Sequence, residues 1–181
     1  MNNTIIIYSL LSFLILFLCG KVSYKLNLLD HPNKRKIHTK ATAYTGGFAI
    51  SVILLFSIFL FAVSDKNLNI ILSIAFLISI IGLIDDKYNL DVSSKLSLQI
   101  IPIFYLVVFE NLALQQIGDY NYFKVELGSF VIPFTLMCVL LLINAFNYFD
   151  GIDGTLGFTS ISVLIILYFL SKVSLSELEQ L

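Results

Sequence analysis

Residues 127–149, LGSFVIPFTLMCVLLLINAFNYF, carry no charged side chain, and the chain then reads DGIDG through residue 154. An α-helix rises about 1.5 Å per residue, so such a run spans the roughly 30 Å hydrocarbon core of a bilayer. Further charge-free runs cover 1–20, 41–64, 67–84, 96–109 and 154–171. The run at 96–109 is short, but Lys95 and Glu110 at its ends can snorkel to the interfaces. The pattern predicts an all-α polytopic membrane protein of about six transmembrane helices, forming a single transmembrane domain over 1–181. Composition agrees. Of 181 residues, 58 % are hydrophobic and 13 % charged, against roughly 45–50 % and 25 % in a soluble domain. Disorder, collagen, a coiled coil and a basic nucleic-acid-binding domain are all excluded.

Eleven Lys and Arg against twelve Asp and Glu leave a net charge of −1, which selects no partner. Their distribution is more informative. Lys21, Lys25, Lys34, Arg35, Lys36, Lys40, Lys87 and Lys95 fall on one side of a six-span topology, and Lys66, Lys124 and Lys172 on the other. The positive-inside rule makes the first set cytoplasmic and puts both termini outside. Because Lys21 follows the first apolar run, that run reads as a retained span instead of a signal peptide. Cys19 and Cys138 fall inside spans and read as small packing residues. On the outer side, Gly118–Ser129 alternates apolar with polar residues and predicts a small external β-hairpin.

The polar residues gather on the cytoplasmic side. The first loop, DHPNKRKIH (30–38), leads to Gly46-Gly47. It reads either as a basic anchor near anionic headgroups or as a phosphate-binding segment through Lys34 and Arg35. The glycine pair would let backbone pack closely as the second span begins. The second loop holds Asp85, Asp86 and Asn89, with Lys95 shortly after. Adjacent carboxylates raise each other's pKa unless a cation or a lysine offsets the repulsion; the alternative is a solvated loop. On a helix, Asp85 and Asn89 share a face. The third loop spaces Asn144, Asn147, Asp150 and Asp153 every three residues as the long apolar run ends. Oxygen-only donors without Cys or His suit Mg²⁺, where a plain polar helix end would not need this spacing.

GLIDD (82–86), Asn89 and NAFNYFDGIDG (144–154), with DHPNKRKIH (30–38), resemble the polyprenyl-phosphate N-acetylhexosamine-1-phosphate transferases of glycosyltransferase family 4. The resemblance runs from about Lys21 to Leu156. It implies transfer of a sugar-1-phosphate, N-acetylglucosamine-1-phosphate foremost, from a UDP-sugar to undecaprenyl phosphate or a related polyprenyl phosphate. UMP is released, and cell-envelope polysaccharide synthesis begins. The implied cofactor is Mg²⁺, with Mn²⁺ as the alternative ion. By position, Asn147 matches a metal ligand, and Asp85, Asp86 and Asp150 match catalytic acids. Asn89, Lys95, Asn144, Asp153, Lys34 and Arg35 match substrate contacts. The implied location is the bacterial inner membrane, with the active-site loops cytoplasmic and no nucleic-acid partner.

Three departures stand out. Ala43 replaces the family's proline, and Thr155 replaces the leucine after the last motif. Relatives have about ten or eleven spans, whose later loops add another metal-binding Asp and a His-rich motif. The sequence therefore reads as the N-terminal half: the chain alone is not expected to turn over, and its candidate protein partners are a second copy in a homodimer or a complementing C-terminal half. The rival classes are a non-catalytic fragment and a membrane carrier or channel. Against the latter, no charged residue falls mid-span, where ion pathways place one.

Overall fold

A computed structural model of the chain describes residues 2–30, 41–120, 123–149 and 154–178. Six α-helices follow in chain order: α1 (Asn2–Leu26), α2 (Gly46–Leu60), α3 (Lys66–Tyr88), α4 (Val92–Phe104), α5 (Val131–Phe149) and α6 (Thr155–Leu178). Among the described residues, five stretches are long and apolar enough to cross a membrane: Asn3–Leu26, Lys66–Tyr88, Val92–Phe109, Gly128–Tyr148 and Thr155–Lys172. The architecture is that of an all-α polytopic membrane protein.

The second charge-free run yields less helix than its length suggests. Residues Thr42–Ala43 form strand β2, paired antiparallel with β1 (Leu29–Asp30) in the register Leu29↔Ala43 and Asp30↔Thr42. A turn then delays the helix until Gly46, and α2 ends after 15 residues. Beyond it Ala62 takes φ 47°, a left-handed conformation that an alanine disfavours. At Gly46 and Gly47 a methyl group would meet nothing within 4 Å among the described residues.

The fourth run gains helix instead. Asp91 starts α4 well before the apolar stretch, and a π-helical turn at Tyr105–Phe109 extends it. Pro102 lies inside α4 and lacks the N–H for a normal backbone bond. The Tyr105 N–H is shared between the carbonyls of Ile101 and Pro102, and the wider turn accommodates the mismatch.

The chain divides into two compact units, one reaching Leu140 and the other taking up at Leu141. In the first, α1 packs on α2, α2 on α3 and α3 on α4. Ala49, Ile53, Ile74, Ile103 and Val107 are its buried apolar residues. Small hydroxyl side chains hold the helices close, as membrane helices often do. Ser51 and Ser79 share a 2.7 Å hydrogen bond between α2 and α3, and the Thr45 hydroxyl donates to the Cys19 carbonyl on α1 at 3.2 Å. Strands β3 (Gln116–Tyr120) and β4 (Phe123–Glu126) form the expected hairpin, starting two residues earlier than the sequence pattern suggested. Thr135 ties it to α5 by accepting the Leu114 N–H at 3.0 Å.

The second unit holds the end of α5 and α6. Gly154 at φ 78° accepts the Phe158 N–H at 2.9 Å and opens α6. Helix α6 exposes apolar side chains including Phe158, Ile161, Leu164 and Leu170, as a helix facing lipid would.

Candidate functional site

Asp85 and Asp86 occupy the last turn of α3, both half-buried. The helix stops at Tyr88 because Asn89 turns left-handed, at φ 49° and ψ 65°. Its N–H still donates to the Asp85 carbonyl at 2.7 Å. The i,i+4 relation between these residues is thus made through backbone, not by two side chains on one helical face. Two residues later Asp91 caps α4, accepting the Ser94 N–H at 3.1 Å and the Ser94 hydroxyl at 2.6 Å, with the Ser93 hydroxyl as a third donor. These donors hold the Asp91 carboxyl far below the usual carboxylate range. Asp91 is the residue that sequence reasoning passed over; its signal was an Asp three residues ahead of Ser94 at a helix start.

This corner turns the chain back so that Lys95, in the first turns of α4, reaches Asp85 on α3. Lys95 Nζ donates to Asp85 Oδ2 at 2.6 Å, with side chains only 14 % and 16 % exposed. A carboxylate at a helix C-terminus and an ammonium near a helix N-terminus each oppose the local macrodipole. The ion pair offsets both. One turn along α4, Gln99 is 3 % exposed.

Asp85, Asp86, Asn89 and Lys95 are therefore gathered at one helix–turn–helix corner. Asn144 and Asn147 lie one turn apart on α5, half-buried and exposed respectively. Lys34, Arg35, Asp150 and Asp153 lie outside the described residues. Among the described residues, no three His, Cys, Asp or Glu side chains converge on a common point. A divalent ion at the corner would thus rely on one or two carboxylates, with waters and phosphate oxygens completing its shell. Mg²⁺ favours that arrangement.

Comparison with known proteins converges on the same stretch. The family model described as Glycosyl transferase family 4 matches residues 68–180. Undecaprenyl-phosphate alpha-N-acetylglucosaminyl 1-phosphate transferase of Escherichia coli O157:H7 is 33 % identical over 145 residues, covering 80 % of this chain and 40 % of the relative. The protein of the same name in Yersinia pestis is 30 % identical over 158 residues, covering 87 % and 43 %. A Bacillus subtilis (strain 168) protein named probable undecaprenyl-phosphate N-acetylglucosaminyl 1-phosphate transferase is 28 % identical over 167 residues, covering 87 % and 46 %. The chain spans less than half the length of these curated relatives. No solved structure matches it significantly.

Proposed function

The chain belongs to glycosyl transferase family 4, and from that membership we propose that it carries the acidic corner of a sugar-1-phosphate transferase. The reaction assigned is transfer of N-acetylglucosamine-1-phosphate from its UDP derivative to undecaprenyl phosphate, initiating a cell-envelope polysaccharide. An oxygen of the lipid phosphate attacks the sugar-bearing phosphorus, the bond to UMP breaks, and a diphosphate-linked lipid forms. The observation that carries the reading is the corner itself. Two adjacent carboxylates end a membrane-length helix, and a lysine holds one of them. A soluble nucleotide and a lipid headgroup meet at such a boundary.

In this reading Lys95 holds the Asp85 carboxylate in place beside Asp86, so that acceptor oxygens stand where the phosphates arrive. Mg²⁺, or Mn²⁺ in its place, neutralises the diphosphate and the departing UMP when bound. Asn147 is assigned as the residue that would hold the ion, and Asp85, Asp86 and Asp150 as the catalytic acids. Asn89, Asn144, Asp153, Lys34 and Arg35 are assigned to the substrates. The corner is assigned to the cytoplasmic face of a bacterial inner membrane.

The test is a membrane assay with radiolabelled UDP-N-acetylglucosamine, undecaprenyl phosphate and Mg²⁺. The 181-residue chain is assayed with and without the co-expressed C-terminal half of a longer relative. Lipid-linked product is expected with the added half and is lost with EDTA. Replacing Asp86 by Asn should lower it roughly 10²–10³-fold, the usual cost of losing one charge-stabilising group. Product that survives EDTA would remove the metal assignment, and full activity in Asp86→Asn would remove the corner from the site.

A further inference from the structure

The chain between α4 and α5 leaves the membrane at a marked depth. Lys66 Nζ lies 2.9 Å from Glu110 Oε2, a second ion pair at the end of the α3–α4 hairpin away from Asp85. Lys66 and Asp85 lie 19 residues apart on one helix, which at about 1.5 Å per residue separates the two ion pairs by about 28 Å. That is close to the thickness of the hydrocarbon core. Glu110 therefore stands at the membrane boundary opposite Asp85, and the connection to α5 starts there. The base of the β3–β4 hairpin is tied to the next span. Leu114 donates its N–H to Thr135, one turn into α5, and the Leu127 N–H donates to the Gln115 carbonyl at 3.0 Å.

Apolar exposure does not stop where the spans stop. Phe109, Leu114, Ile117, Phe123 and Phe130 are between 48 % and 71 % exposed, so the lipid-facing surface of the two spans continues into the connection. Within the hairpin the residue types are sorted by face. Successive strand residues point to opposite sides, which puts Phe123 and Val125 on one face of β4 and Lys124 and Glu126 on the other. Lys124 stands opposite Asp119 in the register, and its Nζ lies 2.9 Å from Asp119 Oδ2. This pairing suits a face in water. A two-stranded hairpin also leaves backbone polar groups along both outer edges, so it cannot sink into hydrocarbon. Aromatic side chains favour the headgroup level. Both constraints are met at one depth, the bilayer surface.

We propose that the β3–β4 hairpin is a membrane-contact element that lies along the bilayer surface opposite the Asp85 corner. Phe123 and Val125 face the junction of headgroups and acyl chains, and the Asp119–Lys124 pair faces water. The occupant of the apolar face is the same bilayer that covers Phe109 and Phe130 on the flanking spans. Because Lys124 is already matched by Asp119, contact rests on apolar burial and not on lipid charge.

The chain contains no tryptophan, so a single introduced indole reports its own surroundings. Phe123→Trp and Lys124→Trp are each made in the full chain and reconstituted in phosphatidylcholine vesicles. The quenchers are lipid brominated on the acyl chains near the headgroup and acrylamide in the water. The indole at 123 is expected to emit further to the blue, to lose most of its emission to the brominated lipid and to resist acrylamide. The indole at 124 should do the reverse. Glu126→Trp, which leaves the Asp119–Lys124 pair intact, should match Lys124→Trp, and Phe13→Trp on the exposed surface of α1 is the lipid-quenched reference. Phosphatidylglycerol vesicles should give the same pattern. Equal acrylamide quenching at 123 and 124 would stand the hairpin in water and overturn the proposal. Shielding of position 123 from both quenchers would overturn it in favour of a protein cover, a second copy included. Lipid quenching at 124 and 126 but not at 123, or contact only on phosphatidylglycerol, would overturn it as well.

Discussion

Asn27, Asn89 and Asn111 all take φ between 49° and 54° just after a helical segment. Asparagine tolerates this conformation because its short polar side chain hydrogen-bonds locally, whereas other side chains lose about 1–2 kcal/mol there. Replacing Asn89 by Ala should therefore cost about 1 kcal/mol in thermal unfolding in detergent, and Asn89→Gly should be near neutral. The glycine variant also separates two roles. Its transfer activity is retained if Asn89 only ends α3, and falls if the side chain contacts substrate. Asp91 behaves differently, because its carboxyl is held low by the Ser93 and Ser94 donors. A depressed folded pKa means that the cap's stabilisation is present above the ordinary Asp value of 3.8 and is lost as pH falls toward the folded value. Protection from hydrogen exchange in the first turn of α4, corrected for the intrinsic pH dependence of amide exchange, should hold from neutral pH down to about the ordinary Asp value of 3.8 and decline below it. In Asp91→Asn this acid-induced decline should be absent.

Helices α3 and α4 form a hairpin closed by an ion pair at each end. The Asp85–Lys95 pair is shielded from water and set against both helix dipoles, so neither charge is comfortable alone. Removing one partner of such a pair costs roughly 3 kcal/mol, because the other loses its ion partner at a site shielded from water. Lys95→Met and Asp85→Asn should each lower stability by about that amount. The double variant should cost less than the sum, with a coupling of about 1–3 kcal/mol in a thermal or denaturant double-mutant cycle. Strict additivity would mean that the two groups do not support each other. The adjacent carboxylates could be read from the sequence; their lysine partner could be inferred only as one of several cations nearby. The π turn at Tyr105–Phe109 was not legible at all, since Pro102 alone also fits a kink or a helix end.

The whole molecule exposes apolar side chains such as Phe13, Phe59, Phe158 and Leu164 over most of its helical surface. Such a surface belongs in a bilayer, and charge asymmetry then sets its direction. A topology reporter fused after Lys87 should be cytoplasmic, and one after Asp65 should lie on the opposite side. Both reporters on one side would remove α3 as a span and, with it, the separation of the two ion pairs across the membrane. The curated relatives extend well beyond the matched portion, and their additional length is where further partners for these exposed faces belong.

Sequence alone determined the membrane class, the helix order, a hairpin within 118–129 and the candidate residues Asp85, Asp86, Asn89 and Lys95. Hydrophobic run length and charge spacing are local properties, and burial in lipid depends directly on them. Which helices shorten, where they end and which charges pair were decided only by tertiary structure. Helix α2 begins late because Thr42–Ala43 pair with Leu29–Asp30, a contact between separate segments that local composition cannot read. Lys95 finds Asp85 because a left-handed Asn89 and an Asp91 cap fold α4 back beside α3. Glu110 finds Lys66 across 44 residues of chain, a separation at which sequence holds no record of contact.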